Sequence, residues 1–208
     1  MKKTIISLLF IALIICSSVF TENFMTVNAQ TGTNVGGVIA TDTTWNLAGS
    51  PYTFNGNILI QNDVLLIIQQ GTVVNLNSFY LMVNGSLQAM GDNNDLITIN
   101  NGRIIFSQFS KNWNNSESTG CIIRNCNLTS VSLSLDSEPL IQNNCFSGIT
   151  PYDASYNTIT YGNVYSNKIS SAVLVIENNS FYGTSGRHAI CLLSGSTLIQ
   201  NNRIMNCR

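Results

Sequence analysis

The chain has 208 residues, of which 44% are hydrophobic and only 9% charged, with 9 basic against 10 acidic side chains. So much apolar material argues against intrinsic disorder. The lack of a basic stripe that could neutralise phosphates takes nucleic acid out of the list of expected partners.

Lys2 and Lys3 precede an apolar run from Ile5 to Ile15, and Val27, Asn28 and Ala29 fit a small-residue cleavage site. This pattern predicts a secretory signal peptide over residues 1–29. The run is short of the ~20 residues a membrane span needs, so no retained transmembrane segment is expected. Ile15 is too bulky a neighbour for Cys16 to be a lipidation site. Cleavage would leave seven basic and nine acidic residues, and five cysteines: Cys121, Cys126, Cys145, Cys191 and Cys207. The expected address is extracellular or cell-surface, with the periplasm as the other exported compartment.

Residues 30–49 read as a polar lead-in and a cap strand around Trp45. From residue 50 the chain alternates with a period of two, the signature of half-buried strands. Ile58 and Ile60 lead to a turn at Asn62 and Asp63, Leu65 and Ile67 follow it, Gly71 breaks the run, and Leu81 and Val83 lead to Asn84 and Gly85. Ile60 and Val83 stand 23 residues apart, a first estimate of a repeat length. Ile97, Ile99, Ile104 and Phe106 continue the strands, and Ser110 to Gly120 is predicted to project as a loop. Such loops carry function more often than the walls of a scaffold do.

Four segments after Cys121 say nearly the same thing: IIRNCNL, LIQNNCF, VIENNSF and LIQNNRI. They align Ile123, Ile141, Ile176 and Ile199, then Asn125, Asn143, Asn178 and Asn201, then Leu128, Phe146, Phe181 and Ile204. The copies are 18, 35 and 23 residues apart, and units of this size stack as the turns of a solenoid. The 35-residue interval is read as one turn with an insertion between Ser147 and Asn163. Asn tolerates the left-handed backbone region, so each Asn pair is a predicted sharp corner. Stacked corners are expected to bond amide to amide, with Asn143 in the buried stack and Gln142 outside it.

These repeats resemble the right-handed parallel β-helix repeat of pectate-lyase-like folds, of exported surface proteins and of the NosD-like group. The opening stretch is similar to the first turns of exported β-helix proteins: Trp45, Ser50 to Tyr52, Gly71 to Val74 and Leu81 to Gly91 carry the likeness. Gln70 departs from it, since Pro commonly precedes that glycine. The resemblance covers residues 50–208 and implies an all-β, right-handed, single-stranded parallel β-helix of roughly six to seven coils. It implies no single activity, because the fold hosts lyases, hydrolases, adhesins and accessory proteins.

In Ile-x-Asn-Asn the x residue points outward, so Arg124, Gln142, Glu177 and Gln200 are expected in one row, a surface on which a sugar chain can lie. The bland alternative is a solvated face. Asp136 and Glu138 are weaker candidates, placed on one strand face by the alternation, and so are Arg187 and the only histidine, His188. No paired-carboxylate motif and no Cys-x-x-Cys pair occurs, so neither catalytic nor metal-ligating residues are assigned. No cofactor is expected; calcium enters only if the protein is a lyase. Cys121 is expected to point into the core. Of the Asn-x-Ser/Thr matches, Asn114 in the loop is the best glycosylation acceptor, whereas Asn178 is expected to be inaccessible within the corner.

The expected function is therefore an exported β-helix protein with a structural or glycan-contacting role, its partner a polysaccharide or envelope glycan. The alternatives are a polysaccharide lyase or glycoside hydrolase of this fold, and an accessory periplasmic protein. Residues 199–208 complete a repeat signature without an obvious cap, so the sequence also predicts either a longer protein or self-association through an open C-terminal coil.

Overall fold

The computed structural model describes residues 31–148, 162–166, 173–183, 188–192 and 196–206. The signal-peptide expectation, most of the proposed insertion, Arg187 and Cys207 lie outside these residues. In chain order the strands are β1 (Thr33–Ile39), β2 (Thr43–Trp45), β3 (Tyr52–Ile60), β4 (Leu65–Ile68), β5 (Val73–Asn75), β6 (Tyr80–Val83), β7 (Ser86–Met90), β8 (Ile97–Phe106) and β9 (Ile122–Arg124). They continue with β10 (Cys126–Leu135), β11 (Leu140–Gln142), β12 (Cys145–Ser147), β13 (Gly162–Ser166), β14 (Val173–Glu177), β15 (Ser180–Tyr182), β16 (His188–Leu192), β17 (Ser196–Gln200) and β18 (Arg203–Met205). No α-helix occurs among the described residues; a 3-10 turn, Leu47–Gly49, follows β2.

Every strand pairing is parallel, and the chain alternates between two sheets. One sheet has the order β2-β4-β7-β9-β11-β14-β17; the other runs from β1 through β3, β5, β8, β10, β12 and β15 to β18, with β6, β13 and β16 branching off it. Neighbours in space are thus one circuit apart in sequence, the arrangement of an all-β, solenoid-like stack. The segment expected as a lead-in already belongs to it, since β1 pairs with β3 and β2 with β4.

The repeat register is the one the sequence predicts. Ile123, Ile141, Ile176 and Ile199 are direct partners across β9, β11, β14 and β17. Leu128, Phe146, Phe181 and Ile204 are partners across β10, β12, β15 and β18. Ile60 pairs with Val83. The long interval between Ile141 and Ile176 is one circuit, because β12, β13 and β14 follow one another around it and residues 149–161 fall between β12 and β13.

The interior is a set of aliphatic and aromatic ladders. Phe146 stacks on Phe181 with ring centroids 4.7 Å apart, and at the other end Trp45 stacks on Tyr52 at 4.9 Å. Leucine, isoleucine and valine from both sheets fill the space between, almost all fully buried. Gly71, at φ +73°, opens the turn into β5 with a backbone that side-chain-bearing residues adopt only under strain. Gly91 sits against the backbone oxygen of Asn125, where a Cβ would overlap it.

The corner between the two sheets divides its work between two asparagines, and here the sequence reading needs correction. Asn125, Asn143, Asn178 and Asn201 have φ of 52°, 56°, 56° and 54°, so the first Asn of each pair supplies the left-handed bend. That conformation turns its side chain outward, and Asn143 and Asn178 are exposed. The buried ladder is made by the second Asn. Asn144 Nδ2 donates to Asn179 Oδ1 (3.1 Å) and to the Ile123 carbonyl (2.9 Å); Asn179 Nδ2 donates to Asn202 Oδ1 (3.0 Å) and to the Ile141 carbonyl (3.0 Å). The same amide oxygens accept backbone N–H groups: Cys126 to Asn144, Asn144 to Asn179 and Asn179 to Asn202, each at 2.9 Å. Cys126 begins this row where a side-chain amide would otherwise stand.

The division of labour predicts a graded mutational series in denaturant melts. Asn144→Ala should cost about 1–3 kcal/mol, because it strands buried backbone donors and acceptors. Asn143→Gly should be tolerated, whereas Asn143→Val should cost roughly 1–2 kcal/mol by forcing a β-branched residue into the left-handed region. Gln142→Ala, at an outward position, should change stability by about 0.5 kcal/mol or less. Equal losses at Asn143→Gly and Asn144→Ala would contradict the assignment.

Candidate functional site

The outward row expected from the sequence is present. Arg124 pairs with Gln142, Gln142 with Glu177, and Glu177 with Gln200 along the rim where the first sheet meets the Asn corner. The row extends one strand further, since Met90 of β7 pairs with Arg124 of β9. At about 4.8 Å per strand, the five residues from Met90 to Gln200 span about 19 Å.

The row is internally bonded. Gln142 Nε2 donates to Glu177 Oε1 at 2.6 Å, and Gln200 Nε2 donates to Glu177 Oε2. Glu177 thus binds an amide with each carboxylate oxygen, and the amide oxygens of Gln142 and Gln200 are left to act as acceptors. Arg124 lies with its Nη2 3.8 Å from the Met90 sulfur, a weak contact that leaves the guanidinium its donor capacity. Arg124, Gln142 and Glu177 are half-buried and Gln200 is exposed.

Beside Met90 the same face opens into a groove of about 520 Å³ lined by Leu47, Ile67, Gln69, Gln70, Met90 and Asp95, among others. The lining combines aliphatic side chains with two amides and one carboxylate. The sequence reading missed this groove because its lining comes from separate circuits: Leu47 from the turn after β2, Gln69 and Gln70 from the end of β4, Met90 from β7. The signal that could have found it is register, since Ile68 pairs with Ala89 and Ala89 with Ile123, which puts Met90 beside Arg124.

The projecting loop is irregular, as expected, and it is strapped down at its base. Lys111 Nζ meets Asp63 Oδ1 at 2.8 Å, and the hydrogen bond and charge of Lys111 hold that exposed carboxyl below the usual range. Trp113 N donates to the Glu138 carbonyl (2.9 Å), Glu138 N to Asn112 Oδ1 (3.0 Å), and Gln88 Nε2 to the Gly120 carbonyl (3.3 Å). Ser110 Oγ and Ser137 Oγ are 2.6 Å apart in a buried contact. The Trp113 indole nitrogen is buried without a hydrogen-bond partner. At the exposed tip, Asn114 pairs with Thr119 and its Oδ1 accepts from Ser116 N at 3.0 Å.

Asp136 and Glu138 lie in the bend after β10, not on a strand face; β10 ends at Leu135, and Asp136 is half-buried while Glu138 is 7% exposed. Their difference arises because the chain turns there and alternation no longer sets direction. His188 opens β16, paired with Gly162; its side chain and the whole of Arg187 fall outside the described residues. Asn178, expected to be inaccessible, is exposed for the backbone reason given above. Among the described residues no group of three or more His, Cys, Asp or Glu side chains could hold a metal ion. Among them, too, no helix is long and apolar enough to cross a membrane.

Cys121 and Cys126 are buried free thiols, as the inward parity of Cys121 predicted, and Cys145 is half-buried. Burial pushes the Cys121 and Cys126 thiols from 9.0 up to about 12, and it raises Cys145 as well. These groups are packing elements, far from the low-pKa thiolates that do chemistry.

Comparison with protein-family models, with curated proteins and with solved structures finds no match.

The thiols give a test with a defined sign. A raised folded-state pKa means that the neutral thiols' contribution to stability is intact below about pH 9 and is lost as pH rises through about 12. The stability advantage of the wild type over the Cys121→Ala, Cys126→Ala double variant should therefore shrink between pH 8 and pH 11 in urea melts. In peptide-mapped alkylation of the native protein at pH 8, Cys145 should label before Cys121 and Cys126. An advantage that grows with pH would contradict the burial of the thiols.

Proposed function

We propose that the chain is a right-handed parallel β-helix of six or seven coils, exported to the cell surface or beyond, that contacts a glycan along the row from Met90 to Gln200. One observation carries the reading: outward polar side chains of successive strands are held in register on a parallel sheet, as donors and acceptors spaced about 4.8 Å apart. Arg124 offers donors, and the oxygens of Gln142 and Gln200 offer acceptors, to the hydroxyls of a chain laid along the stack. The Gln142–Glu177–Gln200 bonds fix these side chains before a ligand arrives, which lowers the entropy lost on binding. The aliphatic groove beside Met90 suits the C–H face of a sugar ring, with Gln69, Gln70 and Asp95 at its hydroxyl-bearing edge.

The test is retention of the purified protein in affinity electrophoresis through gels containing neutral and acidic polysaccharides, with product analysis for new reducing ends or unsaturated sugars. Retention by at least one polysaccharide is expected. The Arg124→Ala, Gln142→Ala double variant should bind about tenfold more weakly, as the loss of two hydrogen bonds worth roughly 0.5–1.5 kcal/mol each implies. Retention unchanged by these substitutions would overturn the site. Turnover abolished at Asp136, Glu138 or Glu177 would favour the lyase or hydrolase reading instead.

A further inference from the structure

Three Asn-Gly pairs occur in the chain, at Asn55-Gly56, Asn84-Gly85 and Asn101-Gly102. In such a pair the side-chain amide is unusually open to attack by the next backbone nitrogen, because glycine has no Cβ to shield that nitrogen and its backbone can follow a ring closure. The fold treats the three pairs differently.

Asn84 Oδ1 accepts from Ser107 Oγ at 2.7 Å, and Gly85 is wedged so tightly that a Cβ would overlap the carbonyls of Gln61 and Val64. Asn101 is held at φ 54° within β8, and Gly102 pairs with Val131 while packed against Leu76 and Phe79. Neither pair can close a ring without local opening. Asn55-Gly56 is the opposite case. Val35 pairs with Phe54 and Gly37 with Ile58, so Asn55, Gly56 and Asn57 stand opposite the single Gly36 and outside the register. The pairings of β3 with β5 and β6 also skip these three residues, ending at Thr53 and resuming at Ile58. The Asn55 side chain is exposed and makes no hydrogen bond among the described residues. A Cβ added to Gly56 would meet nothing within 4 Å. Asn55 Cγ and Gly56 N each lie 3.5 Å from the point where a Cβ of Gly36 would stand, so electrophile and nucleophile turn to the same side of the bend.

We propose that Asn55 is a deamidation site, selected by the fold from the three Asn-Gly pairs. The Gly56 nitrogen gives its proton to hydroxide and attacks Asn55 Cγ; the Cγ–Nδ2 bond breaks, and Nδ2 leaves as ammonia with a proton taken from water. The succinimide so formed adds one water at either carbonyl, which yields aspartate, or isoaspartate with the main chain rerouted through the former side chain. Water is the only co-reactant. Either product adds a negative charge to a chain whose formal net charge is -1. The extra methylene of isoaspartate falls where three residues already oppose one, so the ladders on either side keep their register. This modification is independent of any glycan contact.

The experiment ages the 208-residue chain at pH 8, folded and in parallel in urea, and follows each Asn-Gly peptide by mass spectrometry with fragmentation that distinguishes isoaspartate from aspartate. In the folded chain Asn55 should convert at least about tenfold faster than Asn84 and Asn101, which wait for local opening. In urea the three rates should converge. Gly56→Ala, at a position with room for a methyl group, should suppress conversion at Asn55 while leaving the melting transition in place. Folded-state conversion of Asn84 or Asn101 as fast as that of Asn55, the same rate ratios with and without urea, or an unchanged rate in Gly56→Ala would overturn the proposal. So would an Asn55 that converts only in urea.

Discussion

The C-terminal part of the stack depends on one backbone event repeated at four successive circuits: an asparagine, Asn125, Asn143, Asn178 or Asn201, in the left-handed region at the corner between the two sheets. Chirality makes this conformation costly for most residues, and a stack of identical corners multiplies the cost. Two features offset it. Asn tolerates the region through its short polar side chain, and the residue after it enters the interior with an amide that bonds both up and down the stack. Corner and ladder are thus one device split over two residues: the first sets direction and the second supplies the bonds that hold successive circuits at sheet spacing.

Everything else follows from register. Once the corner asparagines stack, the isoleucines two residues earlier must stack, and so must the leucine or phenylalanine three residues later. A one-residue slip would expose the whole ladder, which is why register is so strongly specified where one face is buried. Insertions are permitted only where they leave that register alone. The stretch 107–120 leaves after β8 and returns before β9, with its base tied by Lys111 to Asp63 and by Asn112 and Trp113 to the backbone of Glu138. Length variation is therefore confined to the margins of the sheets, where a loop can stand over a face without interrupting a rung.

This explains what the sequence made legible. Intervals of 18, 35 and 23 residues between equivalent isoleucines predicted their direct pairing, because side-chain identity at a stacked position is forced by the rung beneath. The same logic found the outward row, Arg124, Gln142, Glu177 and Gln200. It did not say which asparagine of a pair turns outward: two identical letters carry no sign of φ, and only the backbone shows that Asn143 bends while Asn144 is buried. Asp136 and Glu138 were misplaced for a related reason, since alternation predicts facing only while a strand lasts. The groove near Met90 was invisible because its lining is brought together by the circuit, not by any local pattern.

The hydrogen bonding of the outward row constrains the chemistry open to it. Glu177 meets an amide with each of its carboxylate oxygens, which commits one acceptor site of each to a fixed contact. General-base catalysis needs a carboxylate within direct reach of the proton it takes, and nucleophilic glycoside chemistry needs a second carboxyl group about 5–5.5 Å from the first. Along this row the neighbours on both sides of Glu177 are glutamines, and the charge beyond Gln142 is the guanidinium of Arg124. Amide, carboxylate, amide and guanidinium in sequence form a surface of fixed donors and acceptors. Its groups are held by one another and spaced by the sheet.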